Sequence, residues 1–341
     1  MTRPRATLVS PADTPWYHVV SRCVRRAFLC GRDHATGRDF SHRRGWIETK
    51  VKELAAVFAL DVAAYAIMSN HYHLVLRLAP ERAASWTTQE VLRRWTSLFT
   101  GPQCVRRYLS AQHAGMDEAE RAQAETLAQT YRARLADLSW FMRVLNESIA
   151  RQANREDEAT GRFWEGRFKC QALLDDAAIL AAMSYVDLNP IRAGMADTPE
   201  TSEHTSIAQR LRELADDAPP SEATAPQAPL LPFEATATFE PAIPFALEDY
   251  AELVDTLGRA LHPKKRGRIP ERAPRLLQRL GLDPEAFIAH ADRLLQEFGQ
   301  AVGAPASLAA HCAARQTRFL RGMRTARAVF ERAAKQDRRA A

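Results

Sequence analysis

His71 and His73 flank a single residue inside the run HYHLVLRL (71–78), whose aromatic and aliphatic content at strand length predicts a β-strand. The two-residue period of a strand turns both imidazoles to one face, close enough to share a divalent ion, and turns Tyr72 to the other face. A His-x-His pair by itself is more often two imidazoles on a partly polar sheet face, so further ligands have to decide. An HxHxD hydrolase would carry an acid two positions after the second histidine. Val75 stands there, which disfavours metal-activated water chemistry of that kind.

Partners for the pair have to come from elsewhere in the chain. SYVDLNPIRAG (184–194) sets Tyr185 and Asn189 four residues apart, on one face of a helix, so that an amide oxygen could complete a metal site beside a phenol. Pro190 biases Asn189 away from helical geometry and puts it at the helix end. The same spacing describes a capping asparagine and a core tyrosine equally well. Tyr17, Tyr65, Tyr108, Tyr131 and Tyr250 have no comparable neighbour, and packing suffices for them. A tyrosine nucleophile suits a strand that is cut and later rejoined, because the phosphotyrosine ester keeps the energy of the broken phosphodiester. Ionising a phenol of pKa about 10 at neutral pH costs on the order of 4 kcal/mol, so such a site must stabilise the charge.

Arg162, Phe163, Trp164, Arg167, Phe168 and Lys169 mix cations with aromatics over a short stretch. That mixture suits single-stranded nucleic acid, since rings stack on bases while cations meet phosphates. Core rings with solvated charges between them are the competing reading. Arg22, at the end of an earlier strand-like run, is open to the same two readings. Farther along, HPKKRGR (262–268) and the series Arg315, Arg318, Arg321, Arg324 and Arg327 offer phosphate contacts or a solvated basic surface. A spacing of three makes the arginine series spiral around a helix.

Four strands are predicted to hold these groups: WYHVVSRC (16–23), DVAAYAIM (61–68), HYHLVLRL (71–78) and RFKCQALL (167–174). Between the first two, Ile47, Val51, Leu54 and Phe58 mark one apolar face of a helix. Ser69-Asn70 suits a tight hairpin between the second and third strands. Strand, helix, two strands, helices, strand, helix is a split βαβ arrangement of α+β class, ferredoxin-like, with a helical insertion around residues 101–160. Residues 216–249 hold seven acidic residues, no Lys or Arg, and seven prolines from Pro219 to Pro244. They predict an acidic, extended linker at 216–246, dividing a first domain (1–215) from a small, basic, all-α second one (247–341).

The 341 residues carry a net charge of +6, all of it outside that acidic stretch, which favours anionic partners and nucleic acid first. Cys23, Cys30, Cys104, Cys170 and Cys312 form no CxxC pair, so reduced thiols in a cytoplasmic protein are expected. The N-terminus lacks an apolar signal core, and the most apolar run, VFALDVAAYAIM (57–68), is short and contains Asp61. Neither secretion nor a membrane span is expected.

MSNHYHLVL, FWEGRFKCQAL and YVDLNPIRAG, in this order, resemble the single-tyrosine HUH transposases, in particular their REP-associated branch and its chromosomal relatives. The similarity covers about residues 14–200. It implies that His71 and His73 bind a divalent ion, Mg²⁺ or Mn²⁺, with Asn189 as third ligand and Tyr185 as the nucleophile. The implied activity is nicking and rejoining of single-stranded or hairpin DNA through a covalent 5′-phosphotyrosine. Arg22, Arg162, Trp164, Arg167 and Lys169 would be the DNA contacts. The alternative is a catalytically silent relative that binds hairpins, and the REP-associated branch implies a monomer.

Overall fold

The computed structural model describes residues 8–24, 29–32, 37–215, 226–234, 241–261 and 274–330. The basic cluster at 262–268 lies outside them, as do 216–225 and 235–240 of the acidic stretch. The chain is mixed α+β. Strands β1 (Trp16–Arg22), β2 (Leu60–Ile67), β3 (His71–Leu78) and β4 (Lys169–Leu173) form where alternating sequence requires them. Helix α1 (Arg43–Val57) follows β1, and a helical stretch separates β3 from β4. That stretch comprises α2 (Pro80–Ser85), α3 (Thr88–Thr96), α4 (Gln103–Tyr108), α5 (Glu118–Leu135) and α6 (Leu138–Glu156). Helix α7 (Asp176–Asp187) comes next, then α8 (Asn189–Arg192) and α9 (Ser206–Ala215).

The longer helices begin at caps written in the sequence. Asp117, Asp137 and Asp175 each accept a backbone N–H from the first turn of α5, α6 and α7. The strand order is β2-β3-β1-β4-β5, with β5 (Ala301–Val302) supplied by the C-terminal part of the chain. β3 is antiparallel to both β1 and β2, and β4 is antiparallel to β1. β1 and β2 therefore run the same way with β3 between them.

Alternation sorts the two faces of this sheet. Tyr17, Val19 and Ser21 of β1 and Tyr72 of β3 are buried on one face, where the Tyr72 hydroxyl donates to Asn146 Oδ1 of α6 at 2.7 Å. Asn146 Nδ2 in turn donates to Ser21 Oγ at 3.1 Å. The opposite face carries His18, His71 and His73 and is covered by α7.

The expected division of the chain at 216–246 is not a boundary in the packing. Leu230 and Leu231 are buried, and Leu231 N–H donates to the Val62 carbonyl at 2.8 Å. Beyond them, α10 (Leu247–Leu261), α11 (Arg275–Arg279), α12 (Pro284–His290), α13 (Leu294–Glu297), α14 (Pro305–Ala314) and α15 (Met323–Phe330) share one hydrophobic core with the first part. Gly258 of α10 lies so close to Leu188 and Ile191 that a Cβ there would meet both at 3.4 Å. β5 pairs in parallel with β4, Ala172 opposite Ala301 and Leu173 opposite Val302. The C-terminal part is thus neither separate nor wholly helical. Composition indicated a linker because proline and acid are common there, but its intervening Leu, Ile and Phe residues are anchored in the core.

Candidate functional site

Strand register builds one polar cluster out of residues far apart in sequence. Arg22 lies opposite His71, Val20 opposite His73, and His18 opposite Val75, so His18 is a diagonal neighbour of His73 on the same face. On the other side of β1, Gln171 pairs with His18 and Lys169 with Val20. The imidazoles of His71 and His73 meet edge to face with centroids 4.9 Å apart, while those of His18 and His73 stack at 5.1 Å. His18 Nε2 and His73 Nδ1 are 2.8 Å apart, and His18 Nδ1 is 3.0 Å from Gln171 Oε1.

Burial governs the charge of these rings. Desolvation pushes His18 from 6.5 to about 4. Desolvation, with Arg22 and Arg192 adding to it, takes His71 to about 4, and His73 is pushed well below its usual value. All three rings are neutral at physiological pH and so carry lone pairs. His71 Nδ1 lies 2.6 Å from Asn70 Oδ1. An amide oxygen only accepts, so that nitrogen carries the proton and Nε2 is left as donor atom for an ion.

α7 brings Tyr185 to the same face. Its ring packs edge-on against His73 and His18, with centroids 5.8 and 6.3 Å apart. Gln296 Nε2 donates to its hydroxyl oxygen at 3.1 Å, and the Arg192 guanidinium lies 3.7 Å from the ring centroid. A cavity of about 880 Å³ opens beside this group, lined among others by His18, His71, His73, Gln171, Tyr185 and Gln296. Exposed Arg22, Arg167, Lys169 and Arg321 also line it, against the single acid Glu165. Four cations to one acid give its rim a positive potential suited to anions.

Other sequence expectations meet a different arrangement. α7 ends at Asp187, Leu188 joins it to the next turn, and Asn189 opens a new short helix with Pro190. Asn189 is buried, its Nδ2 makes no hydrogen bond, and it is not among the residues lining the cavity. The amides that do line it are Gln171 and Gln296. Trp164 packs edge-on against Tyr72 behind the sheet, with its indole N–H donating to the Asn146 carbonyl at 2.8 Å. Arg162 folds back onto the Trp164 carbonyl at 2.7 Å, and Phe163 and Phe168 are buried. Of that stretch, Arg167 and Lys169 reach the cavity, joined by Arg22. The basic series does not spiral on one helix, because α14 stops at Ala314 and α15 starts at Met323. Arg315 pairs with Asp13, Nε to Oδ2 at 2.8 Å, whereas Arg321 comes to the cavity.

Sequence reading missed His18, Gln171, Arg192 and Gln296 as parts of the cluster, and named Arg321 only within a basic series. His18 and Gln171 find their neighbours through pairing register, Gln296 reaches Tyr185 across more than a hundred residues, and Arg192 turns back over the Tyr185 ring from the next helix. A divalent ion fits part of what is present. His71 and His73 supply two imidazole nitrogens on one face, a donor set more natural to Mn²⁺ than to Mg²⁺. Among the described residues no group of three His, Cys, Asp or Glu is arranged to hold a metal, so the remaining positions fall to amide, water or substrate oxygens.

Comparison with known protein-family models finds no match, and none is found among curated proteins. Among solved structures, the chain is similar to a REP-associated tyrosine transposase bound to a REP hairpin, with a TM-score of 0.35 and 9% identity. That similarity spans 64% of this chain and 94% of the other. At this distance the chemistry has to be read from the residues of this chain. No helix among the described residues is long and apolar enough to cross a membrane.

Proposed function

We propose that the protein is a DNA strand transferase of single-tyrosine HUH type, built on a ferredoxin-like split βαβ core. Tyr185 would cut single-stranded or hairpin DNA and hold the 5′ end as a phosphotyrosine. The observation that carries this reading is that the Tyr185 phenol and the two imidazoles of His71 and His73 line one cation-rimmed cavity.

The residues divide the work as follows. Arg22, Arg167, Lys169 and Arg321 draw the phosphate backbone into the cavity. Gln296 holds the Tyr185 oxygen in place, and the Arg192 guanidinium beside the ring favours negative charge arriving there. The Tyr185 phenol gives up its proton to solvent, and its oxygen forms a bond to phosphorus as the bond from phosphorus to the 3′ oxygen breaks. The 3′ oxygen departs and takes up a proton, and rejoining runs the same exchange in reverse. His71 and His73 would hold the divalent ion, which when bound stabilises charge on the scissile phosphate and the leaving oxygen.

The test is a 3′-labelled hairpin library incubated with the protein and Mn²⁺, resolved by denaturing electrophoresis. A labelled band at the mass of protein plus oligonucleotide is expected, absent for Tyr185→Phe and for the His71→Ala, His73→Ala double variant. Release of a free 5′-phosphate without an adduct would replace this reading with a metal-dependent phosphoesterase. Binding without cutting would make it a silent hairpin-binding protein.

A further inference from the structure

Behind the metal-facing histidines lies a chain of hydrogen bonds that the reaction itself does not require. It starts in the C-terminal segment. Gln171 Nε2 lies 2.9 Å from the carbonyl oxygens of both Leu295 and Gly299. Carbonyl oxygens only accept, so the amide nitrogen must face them and Oε1 must face the sheet. Oε1 is 3.0 Å from His18 Nδ1, which must therefore carry the proton. A neutral imidazole has one N–H, so His18 Nε2 is a lone pair. That atom is 2.8 Å from His73 Nδ1, which must in turn be the donor. His73 is left with its proton on Nδ1 and its lone pair on Nε2.

We propose that Gln171 and His18 are positioning residues that hold His73 as the Nδ1–H tautomer, leaving Nε2 as the atom offered to a divalent ion. What the lone pair is for rests on the metal site proposed above, whereas the tautomer itself rests on the hydrogen bonds alone. The relay assigns a task to the C-terminal part of the chain. Its backbone at Leu295 and Gly299 sets the orientation of one amide, and through two rings it sets the ligand atom of His73. The same segment holds the nucleophile, since Gln296 lies between those two carbonyls in sequence.

The first measurement needs no variant: ¹⁵N shifts of the histidine rings in the metal-free, full-length protein. Both His18 and His73 should report Nδ1–H, and a His73 ring protonated at Nε2 would overturn the proposal. The second compares Gln171→Leu with Gln171→Glu. Both lose the N–H groups that face Leu295 and Gly299, but only glutamate keeps an oxygen to accept from His18 Nδ1. Leucine should release the His73 tautomer and weaken Mn²⁺ binding, read by calorimetry, by about ten- to a hundredfold, as loss of an outer-shell partner does. Glutamate should keep the tautomer and bind Mn²⁺ within a fewfold of wild type. Equal weakening in both would show that Gln171 acts only as a tether and would overturn the relay. A wild-type protein with the expected tautomers that bound no Mn²⁺ would sink the metal reading and leave the relay standing.

Discussion

Tyr185 and Tyr72 are both buried phenols near a histidine pair, and their hydrogen bonds tell them apart. Tyr72 donates to Asn146 behind the sheet, whereas Tyr185 accepts from Gln296 beside the cavity. Tyr185→Phe should abolish covalent attachment of DNA while changing unfolding free energy by no more than about 1 kcal/mol. Tyr72→Phe should cost a similar amount of stability and leave attachment intact, read by urea denaturation beside the adduct assay. The histidines give a pH signature. His18 sits at about 4 in the fold against 6.5 when unfolded, so between those values the unfolded chain binds more protons. Stability is therefore full above about pH 6.5 and falls as pH drops towards about 4, His18 alone accounting for about 3 kcal/mol. The urea midpoint of the metal-free protein should fall between about pH 7 and about pH 5, and His18→Gln should flatten that fall.

α7 has to keep Tyr185 on the histidine face, and a buried polar lock at its end does so. Asp187, the last residue of α7, accepts from the Tyr250 hydroxyl of α10 at 2.6 Å and from the Ile207 N–H of α9 at 3.0 Å. Ser206 of α9 donates to it as well. Burial pushes the Asp187 carboxyl up, opposed by these donors. Tyr250→Phe should therefore cost about 1–3 kcal/mol, because it deletes a donor from a buried carboxylate. A change of a few tenths would mean that α7 is fixed by its apolar packing alone. The four main strands and the shared face of His71 and His73 were legible in sequence, because they follow from alternation. His18 was not, because a lone histidine in WYHVVSRC acquires meaning only once β1 is registered against β3. Asn189, expected beside Tyr185 from the spacing of four, is the first residue of α8 and is not among the residues lining the cavity.

The described residues share one hydrophobic core around the sheet, and Leu295, Gln296, Phe298, Gly299 and Arg321 of the C-terminal part line the cavity. Proline content and acidity suggested a detachable C-terminal domain, and by that view residues 1–220 would retain cutting. β5, Gln296 and the carbonyls above Gln171 contradict that view, since the early part would lose a strand, a contact to Tyr185 and the acceptors of the Gln171 amide. A chain ending at residue 246 should lack a cooperative unfolding transition and form no adduct. One that unfolds cooperatively and attaches DNA at the full-length rate would show that the C-terminal part only covers the site. Proteolysis of the adduct reads directly which residue attacks the DNA. Trypsin cuts after Lys169 and Arg192, which leaves Tyr185 as the only tyrosine of the peptide between them. Mass spectrometry of the Mn²⁺-dependent adduct after nuclease and trypsin digestion should find the residual nucleotide on that peptide. Nucleotide on the peptide carrying Tyr65 and Tyr72, or on no tyrosine peptide at all, would show that Tyr185 is not the attacking group.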